Sequence, residues 1–435
     1  MRRRRGHVKR RALRVAVGAA IGALAFASGC GDARDFAFRV TLDRQFDAYV
    51  RIVLALGQRD ADSLDFYAGP PVWLDRARAE QTPLPEIRRA AAALVDELAR
   101  DGARTAVDRS RRAFLSRQLA AVVARVDLLT GRHLSFDEES RELFGVDAGT
   151  RDPSAFEAAR RELDALLPGH GTLAPRYRAF DRRFVVARDR VPVVVTRAVE
   201  ACRRVTFDHL SLPPNEGVSI EYTHGMPWSA FTRYEGHGRS RTVINLDFSY
   251  TVDRLLELAC HETYPGHHAI NSLIDLPVQP MFSPQTLRTE GAATFAVELA
   301  FPGTSRVEIE RELFALAGLS PGGVGPAGLP LAEVADVGHV ETYLRVARLV
   351  DRLRWVQVDI ARRYLDGDLE FVRAATALED EALMPQESTE ATLKFFNEFR
   401  TYAVTYTVGR DLVDNDVRSR SGAARWQAYQ DWIRP

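Results

Sequence analysis

The chain has 435 residues, 46% of them apolar and 27% charged, which is enough to bury a large core in one big domain or two. Fifty-nine basic residues balance fifty-nine acidic ones, but eight of the basic ones (Arg2 to Arg5, Lys9, Arg10, Arg11 and Arg14) precede the first acid, so the remainder is net −8. Phosphate contacts need clustered cations, so this balance speaks against a nucleic-acid partner. Lys9 and Lys394 are the only lysines, and the arginine bias reads as genomic base composition.

The basic start leads into a short apolar run, Val15 to Phe26, closed by Ala27-Ser28-Gly29-Cys30. That is the plan of a secretory signal over residues 1–29, and the run is too short to span a bilayer comfortably. Small residues directly before a cysteine resemble a bacterial lipobox, in which Cys30 becomes the lipidated first residue. That anchor would hold the protein to the cell membrane outside the cytoplasm. Ala27 is a weaker match than leucine, and Arg10-Arg11 faintly resembles a twin-arginine signal. The alternative is an ordinary cleaved signal with an incidental cysteine.

Residues 30–204 are expected to form a helical N-terminal region. Ile87 to Leu98 places apolar residues at helical spacing between charged ones. Ser135, with Glu138 three positions on, has the pattern of a capping box. Pro213-Pro214-Asn215-Glu216-Gly217 marks a break, and Thr242 to Leu246 is the one clear strand-like stretch. A second helical block runs from Val252 towards the C-terminus, interrupted by the loop Ser320 to Pro326. The expected fold is mostly α, a large helical fold with a small β element beside the helix that begins at Val252. Cys202 and Cys260 pair or stay free as far as the sequence goes. Adjacent helix residues point about 100° apart, so Cys260 is expected in the core and not as a partner to His261 in ligation.

The chemistry concentrates in His261-Glu262-Thr263-Tyr264-Pro265-Gly266-His267-His268. Metallopeptidases use His-Glu-x-x-His because positions i and i+4 share one helix face, where two imidazoles hold one Zn²⁺. The glutamate beside the first histidine then serves as general base towards a metal-activated water. Here Pro265-Gly266 sits where the second histidine should follow. In an unbroken helix i+6 is about 240° round and i+7 about 10.5 Å along, and neither suits shared ligation. Proline and glycine kink helices, so the chemistry requires a kink that the sequence supplies. Deleting Pro-Gly aligns His267 and favours it over His268 as second ligand, leaving His268 to bind substrate or orient its neighbour.

This octapeptide resembles the His-Glu-x-x-Pro-Gly-His-His signature of the bacterial domain-of-unknown-function family 885, a relative of zinc metallopeptidases. Dipeptidyl peptidase III is a looser parallel, with one inserted residue at the same point. Arg241 to Asn245, Thr289-Glu290-Gly291-Ala292, Arg345 to Asp351 and Tyr406 to Gly409 are also similar to family stretches, covering roughly residues 200 to 410. Ala292, Trp355 and Arg400-Thr401 depart from the family pattern, which has tryptophan, histidine and Pro-Gly there. The resemblance implies a zinc-hydrolase catalytic region over 205–435. Glu290, 29 residues after His261, becomes the third ligand, giving two histidines, one glutamate and a position for water. Glu298, two turns on, is its competitor. Tyr406 is implied as oxyanion donor, with Tyr402 and His339 behind it. Asn245 is expected to line the cleft as an edge-strand group.

Gly318-Leu319-Ser320-Pro321-Gly322 fits a serine-hydrolase pattern, but Pro321 lacks the N–H that chemistry needs, and a helix precedes it. His133, His170, His209, His224 and His237 are scattered and carry no role. The expected activity is a one-zinc peptidase acting on peptide substrates, with Glu262 as general base. The alternatives are a catalytically inactive surface lipoprotein that binds a peptide or partner, and a zinc hydrolase of non-peptide amides.

Overall fold

The computed structural model describes residues 29–100, 105–226, 228–319 and 337–434, the side chains of 29–42 and 337–339 excepted. The signal segment, the Cys30 thiol, the Ser320 to Pro326 loop and the His339 ring lie outside the described residues. The chain divides into Met1–Arg44 and Gln45–Pro435. The described backbone of the first unit belongs to the helix Gly29–Gly57.

Periodicity becomes helix through most of the N-terminal region. Leu84–Arg100 turns Ile87, Ala91, Leu94 and Leu98 inward, a stripe that buries one face against the helix Ala106–Leu129. The helix Phe136–Phe144 starts with the expected capping box, Ser135 accepting from the Glu138 amide and Glu138 from the Ser135 amide. One element departs from the helical expectation. Strand β1, Leu64–Tyr67, pairs antiparallel with β5, Val278–Pro280, far along the chain. Strands of four and three residues are too short for a readable period, which is why the sequence hides them.

A second sheet contains β2 (Gly217–Thr223), β3 (Ala230–Gly236) and β4 (Arg239–Asn245) in the order β2-β4-β3. β4 is parallel to β2 and antiparallel to β3. It takes in most of the expected strand, and two neighbours flank it. The fold is mostly α, with the three-stranded sheet set against the end of the helix Val252–Glu262. There Thr232 of β3 donates to the Glu262 carbonyl at 3.0 Å.

Two features hold the centre. The helix Pro284–Ala300 has thirteen of seventeen residues buried, including small and polar ones on every face, and so runs through the interior. A disulfide joins Cys202, on the helix Val191–Phe207, to Cys260 on Val252–Glu262, both fully buried. No helix among the described residues is long and apolar enough to cross a membrane.

The disulfide spans 58 positions, and closing a loop of that length in the unfolded chain is worth about 4 kcal/mol. Cys202→Ala with Cys260→Ala should lower unfolding stability by roughly 2–4 kcal/mol in denaturant titrations. An unchanged midpoint would show that the bond contributes nothing.

Candidate metal centre

The helix Val252–Glu262 ends just after His261, and a new helix, His267–Ile274, begins at the second histidine. Between them lies a tight turn with a cis Tyr264–Pro265 bond. The structure thus breaks the helix, where the sequence suggested a kink. Only glycine fits at 266, because a Cβ there would lie 1.9 Å from the His261 carbonyl oxygen. The Gly266 amide donates to the Cys260 carbonyl at 3.0 Å, tying the turn to the helix it leaves. From the C-terminal helix Gly422–Ile433, the buried Tyr429 hydroxyl donates to the Pro265 carbonyl at 3.0 Å.

The turn brings the two imidazoles together, Nε2 to Nε2 at 3.1 Å. Glu290, in the second turn of Pro284–Ala300, reaches them from the side. Its carboxylate oxygens lie 3.3 Å from His267 Nε2 and 3.5 Å from His261 Nε2. Among the described residues these three form a metal-capable group, all donors within 4.8 Å of one another. Donors 2.0–2.1 Å from a tetrahedral ion stand about 3.3 Å apart. The measured spacings bracket that value, so the residues fit a metal. Glu262 Oε2 and Glu290 Oε2 are buried without a hydrogen-bond partner, acceptors the fold leaves to something else.

Charge within the cluster shapes its protonation. Burial pushes the Glu290 carboxyl up, but the His267 charge and the close approach of both imidazoles outweigh it and hold it well below the usual range. Burial depresses His267, yet the carboxylates of Glu290, Glu262 and Asp65 raise it to about 9.

Glu290 is braced from outside. Tyr402 donates to its Oε1 at 2.9 Å. Gly291 and Gly409 let their backbones touch, since a Cβ on Gly291 would lie 2.3 Å from the Gly409 carbonyl carbon. Thr405–Gly409 is a π-helical turn carrying Tyr406, half-buried, with its ring centroid 6.3 Å from that of His261. Burial, then the Glu290 charge, raises both tyrosine hydroxyls well above their ordinary value, so both remain proton donors. Upstream, the fully buried Glu139 accepts from Arg400 Nε (2.6 Å) and Thr401 Oγ1 (3.1 Å). This clamp holds Arg400 at φ 50°, a conformation residues with a Cβ rarely adopt.

His268 is fully buried, Nδ1 at 2.8 Å from Ser240 Oγ and Nε2 at 2.9 Å from Glu216. Both its nitrogens are committed to these partners, the arrangement of a residue that orients its neighbour. Asn245 lies on the middle strand, not an edge, because β2 and β3 flank β4. Its amide donates to the Met226 and Trp228 carbonyls and accepts from the Asp247 amide, so it shapes a loop and does not line a cleft. Glu298 is drawn away to Arg410, which also pairs with Asp351. Cys260 is core, through its disulfide.

Sequence reasoning passed over Glu216 and Asp65. Glu216 gathers His268, Tyr264 and Arg203. Burial pushes its carboxyl up, but those three partners hold it down at about 2. In sequence it is one letter of a proline-rich break. Asp65, on β1, has no motif around it at all.

No protein-family model and no curated protein sequence matches the chain. Solved structures with distant likeness include a Pyrococcus furiosus carboxypeptidase in an apo-Mg form, at 12% identity and TM-score 0.46, covering 91% of this chain and 89% of that one. A protein from Colwellia psychrerythraea described as a candidate lipoprotein matches at 11% and 0.43, over 80% of this chain and 66% of that one. A candidate lipoprotein of unknown function from Shewanella oneidensis matches at 13% and 0.40, over 83% and 76%. Likenesses at this level carry no functional argument.

The purified protein should bind about one metal ion per chain, and His261→Ala and Glu290→Ala should each abolish that stoichiometry in elemental analysis while the helical circular dichroism persists. Full metal content in the Glu290→Ala variant would place the third ligand elsewhere.

Proposed function

We propose that the chain is a zinc-dependent peptidase, similar in kind to the family-885 proteins, that works outside the cytoplasm and is held to the membrane by a lipid on Cys30. The observation that carries the peptidase reading is the pairing of three donors at tetrahedral spacing with a buried, unpartnered Glu262 oxygen beside them. Two imidazoles and one carboxylate are a donor set suited to zinc, whereas magnesium prefers oxygen ligands and retains its waters. When bound, zinc supplies a Lewis acid for the scissile carbonyl and lowers the pKa of a water towards 7.

The chain's own groups divide the remaining work. Glu262 accepts the water's proton and returns it to the leaving amine. Tyr402 is committed to Glu290, which leaves Tyr406 to donate to the oxygen where negative charge develops. Both hydroxyls keep their protons through neutral pH, as that role demands. His268 and Glu216 fix the helix that carries His267 and touch no substrate. A buried disulfide one residue from the first ligand suits an oxidising compartment.

Glu262→Gln should keep zinc yet lose 10²- to 10⁴-fold in kcat, with KM little changed. Wild-type rates in a zinc-loaded Glu262→Gln variant would end the proposal. Equal inertness of both proteins across a broad peptide library, with retained peptide binding, would favour a binding protein.

Cys30→Ser should move the protein from the membrane to the soluble fraction of cells without altering its thermal midpoint. Unchanged fractionation would remove the lipid anchor.

A further inference from the structure

The two tyrosines beside the metal centre belong to a cluster of aromatic rings with a closed base and an open rim. At the base, the buried Phe144 and Phe282 set their rings 6.0 and 6.3 Å from that of Tyr402. At the rim, Phe395, Phe399 and Tyr406 are only half-buried. Phe395 and Phe399 stand four positions apart on the helix Gln386–Phe399 and so share one of its faces, their rings 5.0 Å apart. That helix buries a different set of residues, Thr389, Leu393 and Phe396, in the core. The rim is therefore a second apolar face that the fold leaves partly open.

Phe395 reaches the metal centre by two separate contacts. Its ring lies 6.5 Å from that of Tyr406, which in turn lies 6.3 Å from the His261 imidazole. It also lies 6.0 Å from Tyr402, whose hydroxyl donates to Glu290 at 2.9 Å. These spacings fall within the range of about 4.5–7 Å at which rings pack favourably. The rim is thus one ring removed from two of the three clustered donors. An extended peptide advances about 3.4 Å per residue. With its scissile carbonyl at the donors, a side chain flanking that bond lies at the distance of a neighbouring ring. Apolar surface left open to water is costly in the free protein, and a side chain that covers it recovers that cost.

We infer that Phe395, flanked by Phe399 and Tyr406, is a specificity-determining residue that receives a bulky apolar side chain of the peptide substrate next to the scissile bond. The inference rests on the peptidase reading and adds a substrate class to it: peptides with an aromatic or leucine-like residue beside the bond that is cut. Residues before and after the bond share this chemistry, and the fragments formed tell them apart.

The test uses the full-length, zinc-loaded Glu262→Gln protein, so that binding is read whether or not the chain hydrolyses peptides. Calorimetry compares hexaalanine with the six peptides in which one alanine is replaced by phenylalanine. Covering the rim predicts about ten- to hundredfold tighter binding for phenylalanine at one position. Leucine there should keep most of the gain, and glutamine should keep none. Adding Phe395→Ala should bring the tight peptide down to the affinity of hexaalanine, with zinc content and circular dichroism unchanged. Phe395→Leu, which keeps an apolar rim, should retain the preference. Mass spectrometry of the fragments that wild type releases from the tight peptide shows whether the ring precedes or follows the cut bond. Equal affinities across the set, no measurable binding, or a preference that survives Phe395→Ala overturns the inference. So does light scattering that finds wild type dimeric and Phe395→Ala monomeric, which would give the rim to a second copy of the chain. The peptidase reading falls separately, through the hydrolysis comparison of wild type with Glu262→Gln.

Discussion

Two imidazoles six positions apart meet at one point, Nε2 to Nε2, where a continuous helix would point them in different directions. Everything around residues 260–268 serves that constraint. The helix stops, glycine passes where no Cβ fits, and the next helix restarts with His267 already in place. Each flank of the break is tied to a different part of the fold. The disulfide at Cys260 fixes the incoming helix, and Thr232 caps its end from the sheet. The His268–Glu216–Ser240 contacts fix the outgoing one. Buried polar groups satisfied in this way are rigid, because losing any partner leaves another stranded away from water.

The third donor is positioned by the opposite means, close backbone packing. Gly291 and Gly409 bring the Glu290 helix against the segment 400–409, which bears Tyr402 and Tyr406. That segment starts at a residue, Arg400, held in an unfavourable conformation by Glu139. A chain of contacts runs from the N-terminal helices through Glu139, Arg400 and Tyr402 to Glu290. The helical N-terminal region is thus part of how the centre is built.

The clustering of His261 and His267 was largely legible because it is local: His261, Glu262 and the two later histidines crowd into eight residues, and Pro-Gly announces the interruption. His267 over His268 followed from asking what a helix permits. The capping box at Ser135 was equally readable, since both partners lie within one turn. What stayed hidden depends on residues far apart. β1 and β5 are too short to show a period, so the region around Asp65 read as helical. Asn245 was misjudged because a strand's own letters do not say whether it lies at an edge. Glu216 looked like punctuation, and its meaning comes only from Tyr264, His268 and Arg203, which the fold gathers around it.

The hydroxyl of Tyr429 closes on the Pro265 carbonyl across 164 positions of chain. Contacts that distant form only after the intervening segments have found their places. During synthesis, therefore, the histidine segment emerges long before the helix that locks its turn. The growing polypeptide carries His261 and His267 without the arrangement that brings them together, and a chain cut short before Tyr429 lacks the tie that closes the turn between them.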